Sequence, residues 1–308
     1  MRKLHYKLVD VFTSRAFGGN QLAVFPEAGE LPAELMQSLA RELNLSETTF
    51  VSSPLDAQND FRVRIFTPLA ELPMAGHPTV GTAYVLSKEG HIKRATTTQT
   101  RVNFEEGVGT IPVTIEFDEE GAPDWIEMQQ PLPVFGPRLT DVEAVAEMLS
   151  LDAEAIEATG LPVEVVSCGV PFLFVPLRNL EAIRRTRFRL DVWERALREL
   201  VPSEVFVFTT EVENAGSSVH SRMFAPAFGI NEDPATGGAS GPLGCYLVRH
   251  GVVKAEPAVE LISEQGIEMG RPSFIKIGIE QRDGEITRVT VSGQCRFMGA
   301  GYFEVEQD

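Results

Sequence analysis

The feature that most constrains this chain is an internal repeat. Arg64–Pro68 resembles Arg222–Pro226, and Ser46–Val51 resembles Ser203–Phe208. Four such pairs, taken in chain order, have offsets of 150, 157, 158 and 163 positions. Offsets that grow steadily along the chain are expected from a duplicated domain with small loop insertions, whereas chance matches would scatter. The 308 residues therefore predict two related domains.

Each repeat contains many short β-branched or aromatic runs bounded by Gly, Pro or Asp, which predict strands. Val80–Leu86 and Leu243–Val248 are apolar or small on every face. A helix without a polar face must be surrounded by protein. The sequence predicts an α+β fold in which a strand-rich sheet wraps a central helix in each half. The expected domains are residues 1–130 and 131–308, and the strand near 301–305 is expected to complete either one.

Composition limits the partners. The net charge is −17 and no long basic run is present, so nucleic acid is not expected as a partner. No run of 18 apolar residues occurs, and we expect no membrane span. The charged start Met1–Asp10 does not resemble an export signal, and three widely spaced cysteines suit a reducing compartment. We therefore expect a cytoplasmic protein.

Two glycine-rich turns precede the two apolar helices. The first is Gly76-His77-Pro78 and the second runs from Asp233 to Gly238. Helix N-termini present backbone N–H groups that attract anions, and glycine lets the backbone approach a ligand closely. Such turns predict binding of a small anionic metabolite. Proton transfer next to a carbonyl or carboxylate is the chemistry they would assist.

Three side chains in the repeated segments are candidates for moving that proton: Glu47, His77 and Asp233. Each also has an ordinary explanation. Glu47 fits an exposed turn acid, His77 fits a helix cap, and Asp233 fits a turn residue. Their joint occurrence in a duplicated fold favours function. A carboxylate in a partly dry pocket would have its pKa raised, so that it could accept a proton and return it.

At these residues the sequence resembles the PhzF-like phenazine-biosynthesis family, which is related to diaminopimelate epimerase. The resemblance rests on Gly18–Asn20, Asn44–Phe50, Ala75–Gly81 and Glu232–Gly237, and it covers nearly the whole chain. It implies two pseudo-symmetric barrel-like halves, each closed around its central helix, with a pocket in the cleft between them. It also implies an isomerase that works as a homodimer without a metal or an organic cofactor.

The resemblance also implies roles for individual residues. Glu47 would be the acid/base, and His77 and Asp233 would assist it by contacting polar groups of the substrate. A characterised family member isomerises trans-2,3-dihydro-3-hydroxyanthranilate to a ketone. The remaining substrate-binding positions would be Asn20, Ser46, Gly76, Gly237 and Gly238.

Two positions depart from the family pattern. Gly238 stands where the family often has serine, and Gln21 stands where proline commonly follows the Gly-Asn turn. Both changes leave Glu47 in place. They put the identity of the substrate in question.

The sequence is also compatible with other functions. A dehydratase or racemase of the proline type would need a thiol at one of the turns, and Cys245 lies inside the second predicted helix instead. A non-catalytic interaction protein that keeps the fold is a further alternative. A dinucleotide enzyme is not favoured, because no Gly-x-Gly-x-x-Gly separates a strand from a helix. The five histidines have no paired ligand spacing, so we expect no metal site.

Overall fold

The computed structural model describes residues 1–96, 98–199, 201–226 and 229–306. The chain divides into two compact units. The first consists of Met1–Gln129 with Val291–Asp308, and the second is Gln130–Thr290. The strand near 301–305 therefore belongs to the first unit, and the second unit ends at Thr290 rather than at residue 308.

The first unit is strand-rich, and its described residues form two helices. Its elements are β1 (Arg2–Val11), β2 (Asn20–Phe25), α1 (Ala33–Leu43), β3 (Glu47–Ser52), β4 (Phe61–Phe66), β5 (Glu71–Leu72), α2 (Gly76–Lys88), β6 (Gln99–Glu106), β7 (Gly109–Phe117) and β8 (Pro123–Gln130), with β18 (Cys295–Val305) at the end of the chain.

The second unit repeats this scheme and adds short helices. Its elements are β9 (Val134–Leu139), α3 (Val142–Leu149), α4 (Glu154–Glu157), β10 (Val163–Ser167), β11 (Pro171–Pro176), α5 (Leu180–Arg185), α6 (Leu190–Val192), a π-helical turn (Trp193–Leu197), β12 (Val205–Thr209), β13 (Val219–Ala225), β14 (Ile230–Asp233), α7 (Gly237–Arg249), β15 (Ala258–Gln265), β16 (Ser273–Arg282) and β17 (Glu285–Gly293).

Strand pairing follows the same order in both units. In the first unit, β1–β2, β3–β4, β4–β5 and β6–β7 are antiparallel, whereas β2–β3 and β4–β6 are parallel. In the second, β10–β11, β12–β13, β13–β14 and β15–β16 are antiparallel, whereas β11–β12 and β13–β15 are parallel. Thr48 pairs with Phe66, and Val205 pairs with Phe224, at the offsets read from the sequence. The structure thus displays the duplication residue by residue.

The central helices are α2 and α7. All residues from Gly76 to Leu86 in α2, and from Gly237 to Leu247 in α7, are buried. Small residues permit this packing: a Cβ added to Gly81 would lie 2.6 Å from a methyl group of Leu22. The predicted α+β fold, with a sheet around an apolar helix in each half, is confirmed.

The remaining helices each have both buried apolar residues and exposed residues. In α1, Met36, Leu39 and Ala40 are buried, and Asn44 ends the helix in the left-handed conformation. In the second unit, α3 to α6 contribute to a separate apolar core that includes Val145. Among the described residues, no helix has the length and apolar character needed to cross a membrane.

Candidate active site

The same turn leads into both central helices. In the first unit Ile65 pairs with Leu72, the last residue of β5, and in the second Met223 pairs with Asp233, the last residue of β14. Three residues later in each unit comes the N-cap of the central helix, Ala75 in one case and Thr236 in the other. Asp233 therefore occupies the position of an apolar residue of the first unit.

The helices α2 and α7 begin at Gly76 and Gly237. Neither N-cap residue accepts a side-chain hydrogen bond from its own first turn. First-turn N–H groups without such a cap are available to other acceptors. His77 and Gly238 are each the second residue of their helix. The histidine of one unit and the glycine of the other therefore occupy equivalent positions.

In the first unit, three predicted site residues lie together. Glu47 is the first residue of β3, His77 is in the first turn of α2, and Asn20 is the first residue of β2. His77 Nε2 lies 3.2 Å from Glu47 Oε2, and His77 Nδ1 lies 3.1 Å from Asn20 Nδ2. All three side chains are buried, and Glu47 is only 7% exposed.

Burial determines the charge of His77, because desolvation lowers the pKa of its imidazole to about 3. The ring is therefore neutral near pH 7. The Asn20 amide can only donate to Nδ1 through its Nδ2, which leaves the ring proton on Nε2, the atom that faces Glu47. This arrangement places a carboxyl group beside a neutral N–H group in a nearly dry setting.

In the second unit, the Asp233 carboxylate is held by its own turn. Thr236 Oγ1 donates a hydrogen bond of 2.6 Å to Asp233 Oδ2. The amide of Gln265 binds both ends of the turn, because its Nε2 donates to the Asp233 carbonyl at 2.7 Å and its Oε1 accepts from the Thr236 N–H at 3.0 Å. Asp233 is thus a buried, oriented carboxylate next to the start of α7.

The predicted binding glycines lie at these helix starts. Gly76, Gly237 and Gly238 are all buried. The Gly237 carbonyl accepts a hydrogen bond of 2.9 Å from Gln130 Nε2. Ser46 directly precedes Glu47 and is only partly buried.

Glu106, which contacts the first turn of α2, was not predicted from the sequence. Glu106 Oε1 is 2.5 Å from Thr79 Oγ1. Its counterpart in the repeat is Gln265, since Phe61 pairs with Phe104 in one unit as Val219 pairs with Ser263 in the other. Each of these two side chains therefore joins the end of a strand to the turn that starts a central helix.

The next residue completes this attachment in both units. A Cβ on Gly107 would lie 2.7 Å from Pro73 Cα, and a Cβ on Gly266 would lie 2.5 Å from the Pro234 carbonyl oxygen. The Val108 N–H also donates to the Pro73 carbonyl at 3.1 Å. We call the paired strand-end residues, Glu106–Gly107 and Gln265–Gly266, the turn clamps.

A buried histidine network was also missed. His220 Nδ1 lies 2.9 Å from Glu264, and its Nε2 lies 2.9 Å from Glu268. Burial alone would lower the pKa of His220, but hydrogen bonds to these carboxylates outweigh it and raise the pKa. Ligand atoms of Glu213, His220 and Glu268 lie within 4.8 Å of one another, a grouping that histidine spacing could not reveal.

The first unit explains what His220 does. Arg62 occupies the corresponding position and pairs with Glu105 at 3.7 Å. Glu105 accepts hydrogen bonds from the backbone N–H groups of Leu55 and Asp56. In the equivalent loop, Glu264 accepts hydrogen bonds from the backbone N–H groups of Glu213 and Asn214. His220 therefore replaces an arginine as the cation of a duplicated ion pair. The pairing of His220 with Glu264 thus has a structural counterpart in the first unit.

The cysteines do not lie at the helix starts. Cys245 is inside α7 and Cys168 contacts it, and both are fully buried. A hydrogen bond with the Cys245 thiol, together with burial, raises the pKa of Cys168. Protonated, buried thiols are poor acid/base groups. The first-turn positions hold His77 and Gly238 instead.

A family model described as phenazine biosynthesis-like protein matches residues 9–301. The chain belongs to this family. It is similar to the trans-2,3-dihydro-3-hydroxyanthranilate isomerase of Pseudomonas chlororaphis, with 38% identity over 297 residues that cover 96% of this chain and 98% of the relative. Its relatives from Pseudomonas fluorescens and Pseudomonas aeruginosa carry the same name, and the family member described here is accordingly an isomerase.

Solved structures agree with this assignment. The fold is similar to that of a PhzF-family phenazine biosynthesis protein from Bacillus anthracis, with a TM-score of 0.88, 26% identity, and coverage of 99% of this chain and 100% of the other. A hydroxyproline epimerase from Agrobacterium vitis has a TM-score of 0.69 at 12% identity, over 98% of this chain and 91% of the other. That second likeness concerns the fold alone.

Proposed function

We propose that this isomerase moves a proton between carbon atoms of a small, carboxylated cyclic metabolite, with Glu47 as the acid/base. The observation that carries the proposal is the buried Glu47 carboxyl group 3.2 Å from the neutral His77 ring. Glu47 as a carboxylate takes a proton from one carbon. As a carboxylic acid it returns the proton to another, so the reaction needs no net acid or base.

His77 is proposed to assist in two ways. Its Nε2–H group can hydrogen-bond the Glu47 carboxylate or a substrate oxygen that gains negative charge as the proton leaves. Because burial keeps the pKa of His77 at about 3, the ring donates this hydrogen bond without exchanging its own proton near neutral pH. Asn20 fixes the ring orientation through Nδ1.

The remaining predicted residues are proposed to bind the substrate. The first-turn N–H groups after Gly76 and Gly237 suit a carboxylate or an enolate oxygen. Asp233, oriented by Thr236, suits an amino or hydroxyl group of the substrate. Ser46 and Gly238 complete the proposed binding positions, and Gly238 leaves room where relatives often carry a hydroxyl group.

The proposed substrate is trans-2,3-dihydro-3-hydroxyanthranilate or a close analogue, because relatives that match 96% of the chain are named for this reaction. The protonic mechanism needs neither a metal nor an organic cofactor. We propose that the reaction is cofactor-independent for that chemical reason. A cytoplasmic location and a homodimer, as the family resemblance implies, are part of the same proposal, and light scattering of the purified protein tests the dimer.

The test compares the wild type with Glu47→Gln in deuterated water, with trans-2,3-dihydro-3-hydroxyanthranilate as substrate and NMR as the readout. The wild type should isomerise the substrate and place deuterium on carbon. Glu47→Gln should be slower by about 10²–10⁴-fold, the usual contribution of a general acid/base. A wild type that is inactive on this compound and its analogues contradicts the substrate assignment.

Glu204→Gln is the matched control. Glu204 precedes Val205 of β12 as Glu47 precedes Thr48 of β3, and burial raises the pKa of Glu204. It accepts a hydrogen bond from Ser203 rather than facing a histidine. This variant should keep its activity within about twofold, since the carboxyl group that it removes contacts Ser203 rather than a histidine. Equal losses in both variants would show that Glu47 has no special catalytic role.

A further inference from the structure

The turn clamp of the first unit contains an unusual acid. Glu106 is the last residue of β6 and is 6% exposed. Its Oε1 contacts Thr79 Oγ1 at 2.5 Å, and the same Thr79 Oγ1 lies 2.7 Å from the Ala75 carbonyl oxygen. Thr79 is two residues after His77, so Glu106 is attached to the helical turn that carries the candidate site.

The single hydroxyl proton of Thr79 constrains the protonation state of Glu106. A threonine hydroxyl has one proton to donate, and a carbonyl oxygen can only accept. When Thr79 donates to Ala75, the contact with Glu106 is a hydrogen bond only if the carboxyl group supplies the proton. Both short contacts are satisfied together when Glu106 is a neutral carboxylic acid.

The surroundings of Glu106 favour the same state. Its Oε2 is buried and has no hydrogen-bond partner within the described part of the chain. Of the titratable groups on neighbouring segments, His77 is kept neutral by burial, and Glu105 and Glu71 each have an arginine partner. Burial therefore raises the pKa of Glu106 to about 8.

The repeat provides an internal comparison. At the equivalent position the second unit has Gln265, an amide that donates to Thr236 Oγ1 at 2.9 Å and to the Asp233 carbonyl. A protonated glutamic acid and a glutamine are both neutral and can both donate one hydrogen bond to a hydroxyl oxygen. Only the glutamic acid can lose that ability when the pH rises.

We propose that Glu106, as a neutral carboxylic acid, is a positioning residue that fixes the first turn of α2 and with it His77, and that loss of its proton disables the site at alkaline pH. An ionised Glu106 can only accept, so the Thr79 hydroxyl turns towards it and releases the Ala75 carbonyl. The N-cap of α2 then loses a hydrogen bond directly before Gly76 and His77. The proposal rests on the proposed function for its effect on activity, but not for the ionisation itself.

Carbon-13 NMR of protein labelled at glutamate carboxyl carbons tests the ionisation without any assay. One carboxyl signal should remain protonated at pH 6.5 and titrate near pH 8, and Glu106→Gln should remove it. If that variant does not fold, Thr79→Val assigns the signal, because removal of its hydrogen-bond partner should change the pH at which the Glu106 signal titrates. A Glu106 signal that titrates in the ordinary glutamate range, near pH 4 to 5, overturns the proposal.

The pH dependence of kcat tests the effect on the site. Wild-type kcat at pH 9 should be about tenfold lower than at pH 7. The reason is that the protonated fraction of a group with a pKa of about 8 falls about tenfold over this interval. In Glu106→Gln this ratio should change by less than about twofold, since the amide keeps its proton. An equal fall in both proteins contradicts the positioning role. A wild type without activity at any pH contradicts the proposed function instead. In that case the NMR titration alone decides whether Glu106 is protonated.

Discussion

His77 Nε2 and Glu47 Oε2 lie 3.2 Å apart, one on the first turn of a buried helix and the other at the start of a strand. The neutral ring makes this contact an N–H group facing a carboxyl group, rather than an ion pair. The proton stays on Nε2 because Asn20 occupies Nδ1. Asn20 therefore selects the His77 tautomer that the proposed role of this ring requires.

Asn20→Asp should reverse that tautomer. A carboxylate at position 20 accepts a hydrogen bond from Nδ1–H, which leaves an Nε2 lone pair facing Glu47. We expect kcat to fall by at least about tenfold, as a wrongly oriented or wrongly protonated histidine is costly in acid/base catalysis. Nitrogen-15 shifts of His77 report the tautomer directly. Asn59→Asp, at another buried asparagine of the first unit, should leave kcat unchanged.

Stability at acid pH should reveal the buried neutral His77. Its pKa is about 3 when folded and near 6.5 when unfolded, so the unfolded chain binds an extra proton between these values. Stability therefore falls as the pH drops from 6.5 towards 3, by about 3 kcal/mol at pH 4. Urea unfolding at several pH values should show a smaller fall for His77→Asn, while the exposed His91→Gln should behave like the wild type.

The turn clamp of the second unit should not tolerate a side chain at Gly266. Its φ is +74°, and an added Cβ would lie 2.5 Å from two carbonyl oxygens, those of Pro234 and Arg271. Gly266→Ala should lower the unfolding free energy by about 1–3 kcal/mol through crowding and backbone strain. Gly216→Ala has open space around its Cβ and should change stability by less than about 0.5 kcal/mol. Equal effects measured by denaturant unfolding would contradict the packing argument.

The duplicated arginine pairs should differ in strength. Arg64 with Glu71 and Arg222 with Glu232 are both bidentate, with contacts of 2.7 and 2.8 Å. The Arg222 side chain is only 5% exposed, against 19% for Arg64. Glu232→Gln leaves a buried guanidinium without its partner charge and should cost about 3 kcal/mol, whereas Glu71→Gln should cost less than about 1 kcal/mol. Matched urea denaturation of the two variants measures the difference.

The parts of the fold that produce a local sequence pattern could be predicted from the sequence. Offsets between similar segments matched the observed strand pairs, as at Thr48 with Phe66 and Val205 with Phe224. Helices without a polar face were correctly expected to be buried. The location of the last strand could not be predicted, because it depends on pairing between β18 and β1 at opposite ends of the chain. No local sequence pattern indicates which distant strand will pair with β1.

The candidate site could be predicted only in part for a related reason. Glu47 and His77 stood out because they lie in repeated motifs, and the structure brings them into contact. Glu106 and His220 did not, because a lone glutamate is usually exposed and a lone histidine has no evident partner. Complete alignment of the two repeats would have exposed both positions. It sets Glu106 against Gln265, and His220 against Arg62.

The pairing of β1 with β18 bears on how the protein is made. Arg2 to Val11 pair with residues between Cys295 and Val305, so the first unit encloses the second in the chain. During synthesis, the strands of the second unit, from β9 to β17, have all been made once about 290 residues have emerged. The edge of β1 that pairs with β18 stays unpaired until β18 has emerged from the ribosome. The half of the protein that contains Glu47 is therefore the last to complete its fold.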